Sequence, residues 1–542
     1  VISDDARPQL RAADEAVRRA DWPAASAAFR AVLAGTDSPE TREKLGLTLY
    51  WQGDVDAAIA EQETAYRLYQ GRDDRRGAAR VATWLALEHE SGRGQPAVAN
   101  GWLQRARRLL AGLEPSPELA WLLFWEAHIL FLFRRDETAA RERLDEAMRL
   151  AQGHGLRDVE LMLVGLEGVM LAHEGDLAGA MRRLDEVTTA ALTGEVGDHS
   201  AAGNACCYVL TTCEEVGDLE RAAQWLARVR QHYDPLRLVP LDNYCRNHTV
   251  GILLGTGKWA EAEEEIAKME RDSRLLAPGY VREATARLGE LRRRQGRTEE
   301  AEALFAQVDT HPRAILGRAA IALARGNARA AVEMVERSLR QLPERDRLAR
   351  LPALELLVEA HAAQRDVGAA TAALHEMSEL AQRLDTAAPR AMVRLAEGVV
   401  ACASGDHDQG RRCFEDAVAA FARLGAPYEA ARARQALARC LTALGRPAEA
   451  AQESRRAHDE LRALGVAAGA PAAAARSSSL TPRERDVIRL VARGFSNKEI
   501  ASELGLSEHT VHRHVGNILT RLELPSRSAA VAYAAQSGLL EP

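Results

Sequence analysis

Near the end of the chain, His509, His512, Arg513, Gly516 and Thr520 fall on one face of a helical stretch, while Val511, Val515, Ile518 and Leu522 recur at i, i+4, i+7 and i+11 on the other. The first face is polar, carries a fixed cation and has a glycine where another backbone can come close. This is recognition chemistry. Arg513 and His512 have the reach for base edges, arginine being the commonest guanine reader. Ser507, Thr510, Asn517 and Arg521, with Lys498 on the preceding segment, suit phosphate contacts that set register. No Ser/His/Asp or paired-carboxylate arrangement is fixed by the sequence, so no catalytic residue and no enzymatic activity are expected.

The flanking residues are those needed to hold such a face in place. Thr481-Pro482-Arg483-Glu484 is a capping box with proline at the first helical position. Val487, Leu490 and Val491 continue as an apolar stripe, and Gly494 ends it. A second short helix follows Ser496-Asn497, with Ile500, Ala501 and Leu504 inward, and stops at Gly505. Ser507 is placed to cap the third helix, and SRSAAVAYAAQSGLL supplies a fourth. The middle pair, joined by Gly505-Leu506-Ser507, forms a helix-turn-helix that presents one helix to a DNA major groove.

The segment resembles the DNA-binding domain of LuxR-type transcription regulators. The matching residues are Leu480 to Glu484, Ala492-Arg493-Gly494, Ser496 to Ala501, Leu506-Ser507 and Thr510-Val511, followed by His514, Leu519 and Leu522. The resemblance covers about one ninth of the chain and implies a four-helix domain whose third helix reads double-stranded DNA. It also implies pairing of two copies through the fourth helix, here Arg527–Ser537, with Ala530, Val531 and Ala534 as contact residues. His512 and Gly516 stand where the family often has Lys or Arg, so the operator does not carry over by analogy.

The rest of the chain has to position or regulate that domain. Its 542 residues exceed one typical domain, and 47% hydrophobic with 5% aromatic residues suits an Ala/Leu-packed helical body. Twelve punctuation signals recur, mostly 39 to 42 residues apart: Arg19-Ala20-Asp21, Gly53-Asp54, Gly92-Arg93, Arg135-Asp136, Gly175-Asp176 and Gly217-Asp218, then Gly257-Lys258, Gly296-Arg297, Gly326-Asn327, Arg365-Asp366, Gly405-Asp406 and Gly445-Arg446. Small residues follow many of them, as in Ala57-Ala58, Ala262, Ala301 and Ala450, where two helices can approach closely. About twelve helix hairpins are expected, stacked because none buries its apolar face alone. The array resembles tetratricopeptide repeats, with a period longer than the usual ~34. The expected fold is therefore all-α: a right-handed solenoid of tetratricopeptide-like helix hairpins over 1–465, a flexible linker over 466–479, and the four-helix domain over 480–542.

Charge agrees with this division. The chain carries −7 overall; from Ser477 onward eight Lys and Arg face seven Asp and Glu, a net of +1, which leaves −8 on the remainder. So small a positive charge implies weak binding by a single copy and affinity gained by pairing. The segment Gly251 to Trp259 lacks the Ser or Thr that must follow a phosphate-loop lysine, and Asp4-Asp5 lacks the strands of a receiver domain. Cys206, Cys207, Cys213 and Cys245, near His199, show no CxxC spacing and are expected to be buried packing, with no metal or cofactor. His509, His512 and His514 are expected as polar groups of a DNA-facing helix rather than a pH switch. All eight tryptophans lie between Trp22 and Trp259, where core packing is the first expectation and an aromatic partner surface the second. The opening VISDDARPQL has neither a basic n-region nor an apolar core, and no apolar run spans a bilayer. A cytoplasmic regulator is expected, its array sensing a protein partner or small ligand; the alternative is a scaffold localised to DNA by its C-terminal domain.

Overall fold

The computed structural model describes residues 6–233, 236, 238–276, 278–342, 346–466, 480–521 and 526–536. Among them every regular element is helical. Hairpins one to four pair α1 (Ala6–Arg18) with α2 (Trp22–Gly35), α3 (Pro39–Gln52) with α4 (Val55–Gly71), α5 (Arg75–Leu87) with α6 (Pro96–Leu110), and α7 (Pro117–Leu132) with α8 (Glu137–His154). Hairpins five to eight pair α9 (Arg157–Glu174) with α10 (Leu177–Leu192), α11 (His199–Val216) with α12 (Leu219–Tyr233), α13 (Val239–Gly255) with α14 (Trp259–Leu276), and α15 (Val281–Arg294) with α16 (Thr298–Gln307). Hairpins nine to twelve pair α17 (Pro312–Ala324) with α18 (Ala328–Gln341), α19 (Arg347–Ala363) with α20 (Val367–Leu384), α21 (Ala387–Ala403) with α22 (His407–Arg423), and α23 (Pro427–Ala443) with α24 (Pro447–Ala463).

Each of the twelve sequence signals marks the turn inside one hairpin, and the residue types explain why. At Gly53 the backbone takes φ 93° and its N–H returns to Tyr50 O at 2.9 Å; Asp54 then accepts from Ala57 N at 3.3 Å and starts the next helix. Asp176 and Asp406 repeat the cap on Gly179 N and Gln409 N, both at 2.9 Å. In the third hairpin the turn differs from the expected Gly92-Arg93: a π-helical turn, Glu88–Gly92, extends α5, and Gly94 takes the left-handed conformation instead. Of the alanines after the turns, Ala58, Ala262 and Ala301 are completely buried, Ala450 is nearly so and Ala57 is partly buried.

The array does more than stack neighbours. Trp22 Nε1 donates to Leu236 O at 2.9 Å across 214 residues. Asp346, just before α19, accepts from His173 Nδ1 of α9 at 2.9 Å and from Arg135 Nη1 at 2.9 Å. Arg287 of α15 donates to Glu214 of α11 at 2.8 Å. Leu464 and Val466 pack with Tyr428 against Val250, Leu254 and Trp259 of the seventh hairpin. Contacts thus recur between hairpins two to six units apart, and the fifth and seventh hairpins each meet the one five further on, so the solenoid coils tightly enough for successive turns to touch. Val466 belongs to this packing, so the array extends one residue past the expected boundary; the expected linker residues 467–479 lie outside the described residues.

Four helices follow: α25 (Pro482–Ala492), α26 (Asn497–Leu504), α27 (Glu508–Arg521) and α28 (Arg527–Gln536). Leu480, Val487, Ile488, Leu490, Val491, Ile500, Val511, Val515, Ile518, Ala530 and Ala534 form their shared core. Burying each Val, Leu or Ile contributes about 1.5–3 kcal/mol, which gives the small domain its own core.

Candidate DNA interface

Local chemistry fixes the start of each helix that positions the reading face. Thr481 Oγ1 accepts from Glu484 N at 3.2 Å while the Glu484 carboxylate takes Thr481 N at 2.8 Å. Ser496 and Glu499 form a second capping box, at 3.3 and 2.7 Å. The backbone and side-chain hydrogen bonds from Ser496 hold the Glu499 carboxyl below its usual range. Gly505, at φ 64°, ends α26, and Ser507 Oγ accepts from Thr510 N at 3.1 Å to begin α27. Arg483 donates to Leu504 O, tying α25 to the end of α26 just before the turn. Arg527 of α28 donates to Asn497 Oδ1 at 2.7 Å and to Phe495 O, fixing the other end of α26. The turn between α26 and α27 is thereby held from both sides.

This framework rotates Val511, Val515 and Ile518 into the core and leaves His509, His512, Arg513, Gly516 and Asn517 exposed. Lys498 and Ser507 are exposed as well, and Thr510 and His514 are half-buried. A Cβ built at Gly516 meets nothing within 4 Å inside the chain, so the space above it is open to an approaching ligand. The side chains of Thr520 and Arg521, and all of Leu522, lie outside the described residues.

Ala530 and Ala534 are 1% and 0% exposed within the domain's own core, and Val531 packs against that core as well. Both alanines help hold α28 to the rest of the domain. In the array, Cys206 and Cys213 are buried, and burial pushes the Cys213 thiol up to about 12. Trp22, Trp51, Trp125 and Trp259 are buried, while Trp102 lines an open groove of about 820 Å³ with Tyr66, Val98 and Arg105. Sequence reasoning missed a further group: Cys402, His407 and Cys440 converge between the last two hairpins.

Comparison with known proteins follows this division of the chain. Residues 478–534 match the family described as bacterial regulatory proteins, luxR family, and residues 390–459 match the tetratricopeptide repeat. The C-terminal domain is thus a luxR-family helix-turn-helix domain, and the preceding array contains tetratricopeptide repeats. Among curated proteins, the response regulator protein VraR of Staphylococcus aureus (strain Mu3) and that of Staphylococcus saprophyticus are each 47% identical over 62 residues, which is 11% of this chain and 30% of the relative. The chain therefore spans about a third of the length of these relatives. Solved structures with a similar course include the APC/C hetero-tetramer Cut9-Hcn1 (TM-score 0.38, 14% identity, covering 85% of this chain and 96% of that one). A Rap protein complexed with competence and sporulation factor has the same score and identity, covering 70% and 98%. The luxR-family domain points to transcription regulation and the repeats to protein interaction; neither family is enzymatic. Among the described residues no helix is long and apolar enough to cross a membrane.

Proposed function

We propose that the chain is a cytoplasmic, sequence-specific transcription regulator in which α27 enters the DNA major groove. Arg513 and His512 lie nearest the base edges, with His509 beside them and Gly516 admitting the close approach. Lys498, Ser507, Thr510, Asn517 and Arg521 contact phosphates. Two copies read an inverted repeat, paired through the last helix. The repeat array receives a protein partner or small ligand and changes the pairing or the freedom of the tethered domain.

The observation that carries this reading is the division of α27: one face locked into a four-helix core, the opposite face polar and exposed. A domain held together by its own core, with capped helices on both sides of the turn, is pre-organised to dock rigidly. The test is selection of bound genomic fragments by the full chain and by residues 477–542 alone. Identical sites bound with unequal affinity assign specificity to the domain and regulation to the array. Recovery of random fragments by both refutes sequence-specific recognition.

A further inference from the structure

The eleventh and twelfth hairpins assemble three soft ligand atoms from separate places in the sequence. Cys402 lies in the last turn of α21, His407 begins α22, and Cys440 lies near the end of α23. Their ligand atoms all lie within 4.8 Å of one another. A tetrahedral Zn²⁺ with Zn–S bonds near 2.3 Å holds two sulfurs about 3.8 Å apart. Side-chain adjustments of about 1 Å would close the set around such an ion.

Several details set this convergence apart from ordinary packing. His407 Nδ1 is buried and has no hydrogen-bond partner among the described residues, a costly state for an imidazole nitrogen. The Cys402 thiol occupies the space over Gly410, where any Cβ would collide with its Sγ, so the glycine makes room for the sulfur. Cys440 Sγ donates to His407 O at 3.0 Å, which holds the second thiol beside the histidine. Asp406 fixes the start of α22 by accepting from Gln409 N at 2.9 Å and so sets the position of His407. The surrounding charges balance: Arg439 and Arg411 act on the thiols as cations, Asp408 and Glu415 as anions. A divalent ion neutralised by two thiolates adds no net charge to that environment. Cys402 and His407 are only half-buried, so part of the cluster borders solvent.

We propose that Cys402, His407 and Cys440 bind a thiophilic divalent d¹⁰ cation, Zn²⁺ in the cell, through two thiolates and one neutral imidazole, with water as the fourth ligand. Each thiol releases one proton to solvent as its sulfur–metal bond forms, and no electron is transferred. The ion clamps the turn of the eleventh hairpin to α23 of the twelfth, one helix before the end of the array. By bridging the two hairpins the ion stiffens the contact between them.

The test uses the full chain, reduced and stripped with a chelator, then titrated with Zn²⁺ in competition with a chromophoric chelator. One equivalent is expected to bind with Kd below about 1 μM. Cys402→Ser, Cys440→Ser and His407→Ala should each weaken binding by more than about 100-fold, beyond the usual effect of losing an outer-shell partner. Cys413→Ala, a neighbouring buried thiol outside the set, should leave it unchanged. If a variant fails to fold, Co²⁺ added to the wild type decides: thiolate-to-cobalt charge-transfer bands of two-sulfur intensity support the site. Their absence overturns it, as does uptake of Cu⁺ but not Zn²⁺, retention of tight Zn²⁺ binding in folded Cys402→Ser, or recovery of a Cys402–Cys440 disulfide in place of metal binding.

Discussion

Removal of the His173 imidazole should change stability with a defined pH signature. His173 sits at the contact between the fifth and tenth hairpins, 8% exposed, with Asp346 at 2.9 Å on Nδ1, Glu215 at 3.3 Å from Nε2, and the Phe131 ring 5.3 Å away. Burial disfavours its charged form, but the hydrogen bonds to Asp346 and Glu215 and their negative charges prevail and raise its pKa from 6.5 to about 10. A rise of that size corresponds to a ceiling of about 5 kcal/mol. The sign follows from proton linkage. Below pH 6.5 both folded and unfolded chains hold the proton and the whole contribution is present; as pH rises toward 10 only the folded chain keeps it, and the contribution falls by about 1.4 kcal/mol per pH unit. Above 10 it is gone. Urea unfolding of wild type and His173→Gln at pH 6, 7, 8 and 9 measures this directly, because the difference between the two cancels every other titration. The difference should shrink steadily from pH 7 to 9. Asp346→Asn, which leaves Glu215 in place, should retain a smaller total decline that starts at the same pH and ends sooner, because only the folded pKa falls, together with a loss of about 3–5 kcal/mol for breaking a buried pair. A wild-type-minus-Gln difference that is flat between pH 7 and 9 would refute a protonated His173 as the link between these hairpins.

Three further outcomes can be checked separately. Arg513→Ala should lower discrimination between specific and random DNA by about 1–3 kcal/mol, whereas Lys498→Ala should weaken all sequences alike and reduce the slope of log K against log salt by about 1; binding isotherms at several salt concentrations separate them. Glu88 is buried at the π-helical turn with Arg93 3.9 Å away, and burial outweighs that cation and raises its carboxyl to about 8. The folded chain therefore holds a proton that the unfolded chain loses above the ordinary carboxylate range, so stability falls as pH climbs to 8, and Glu88→Gln should gain about 3 kcal/mol at pH 7 in urea unfolding. Deleting residues 427–466 should uncover Trp259, which is 2% exposed, and speed amide exchange in α13 and α14; unchanged exchange there would mean that the twelfth hairpin does not protect the seventh.

What the sequence discloses depends on how local its cause is. The hairpin turns are legible because a left-handed glycine and an Asp that caps the next helix are decided within four residues, as at Gly53-Asp54. The third hairpin escaped because Glu88 lies over Gly92, a side-chain placement that no turn signal records. The polar face of α27 was visible for the same local reason: Val511, Val515 and Ile518 fix its rotation. In α28 the run SAAVAYAAQ offers little contrast between faces, so nothing in the pattern showed that Ala530 and Ala534 turn inward. Cys402, His407 and Cys440 were invisible because spacings of 5 and 33 residues belong to no ligand motif; only the packing of α22 against α21 and α23 makes them neighbours.

The contacts between distant hairpins lie beyond reach of any such pattern, and they bear on how the array could respond to a signal. An open solenoid transmits strain only from one repeat to the next. Here Asp346 joins the tenth hairpin to the fourth and fifth, Glu214 joins the sixth to Arg287 and Arg313 of the eighth and ninth, and Tyr428 joins the twelfth to Trp259 of the seventh. The Glu214 carboxyl is held down to about 2, because the positive charges of Arg287 and Arg313 and the hydrogen bond from His248 outweigh its burial. Breaking one partner of such a pair leaves the other charge buried and costs several kcal/mol, so these groups favour two discrete arrangements over gradual bending. A ligand that prefers the opened arrangement must supply that difference, while one that prefers the closed coil reinforces it. Either would act at once on hairpins far apart in sequence, among them the twelfth, which directly precedes the DNA-binding domain.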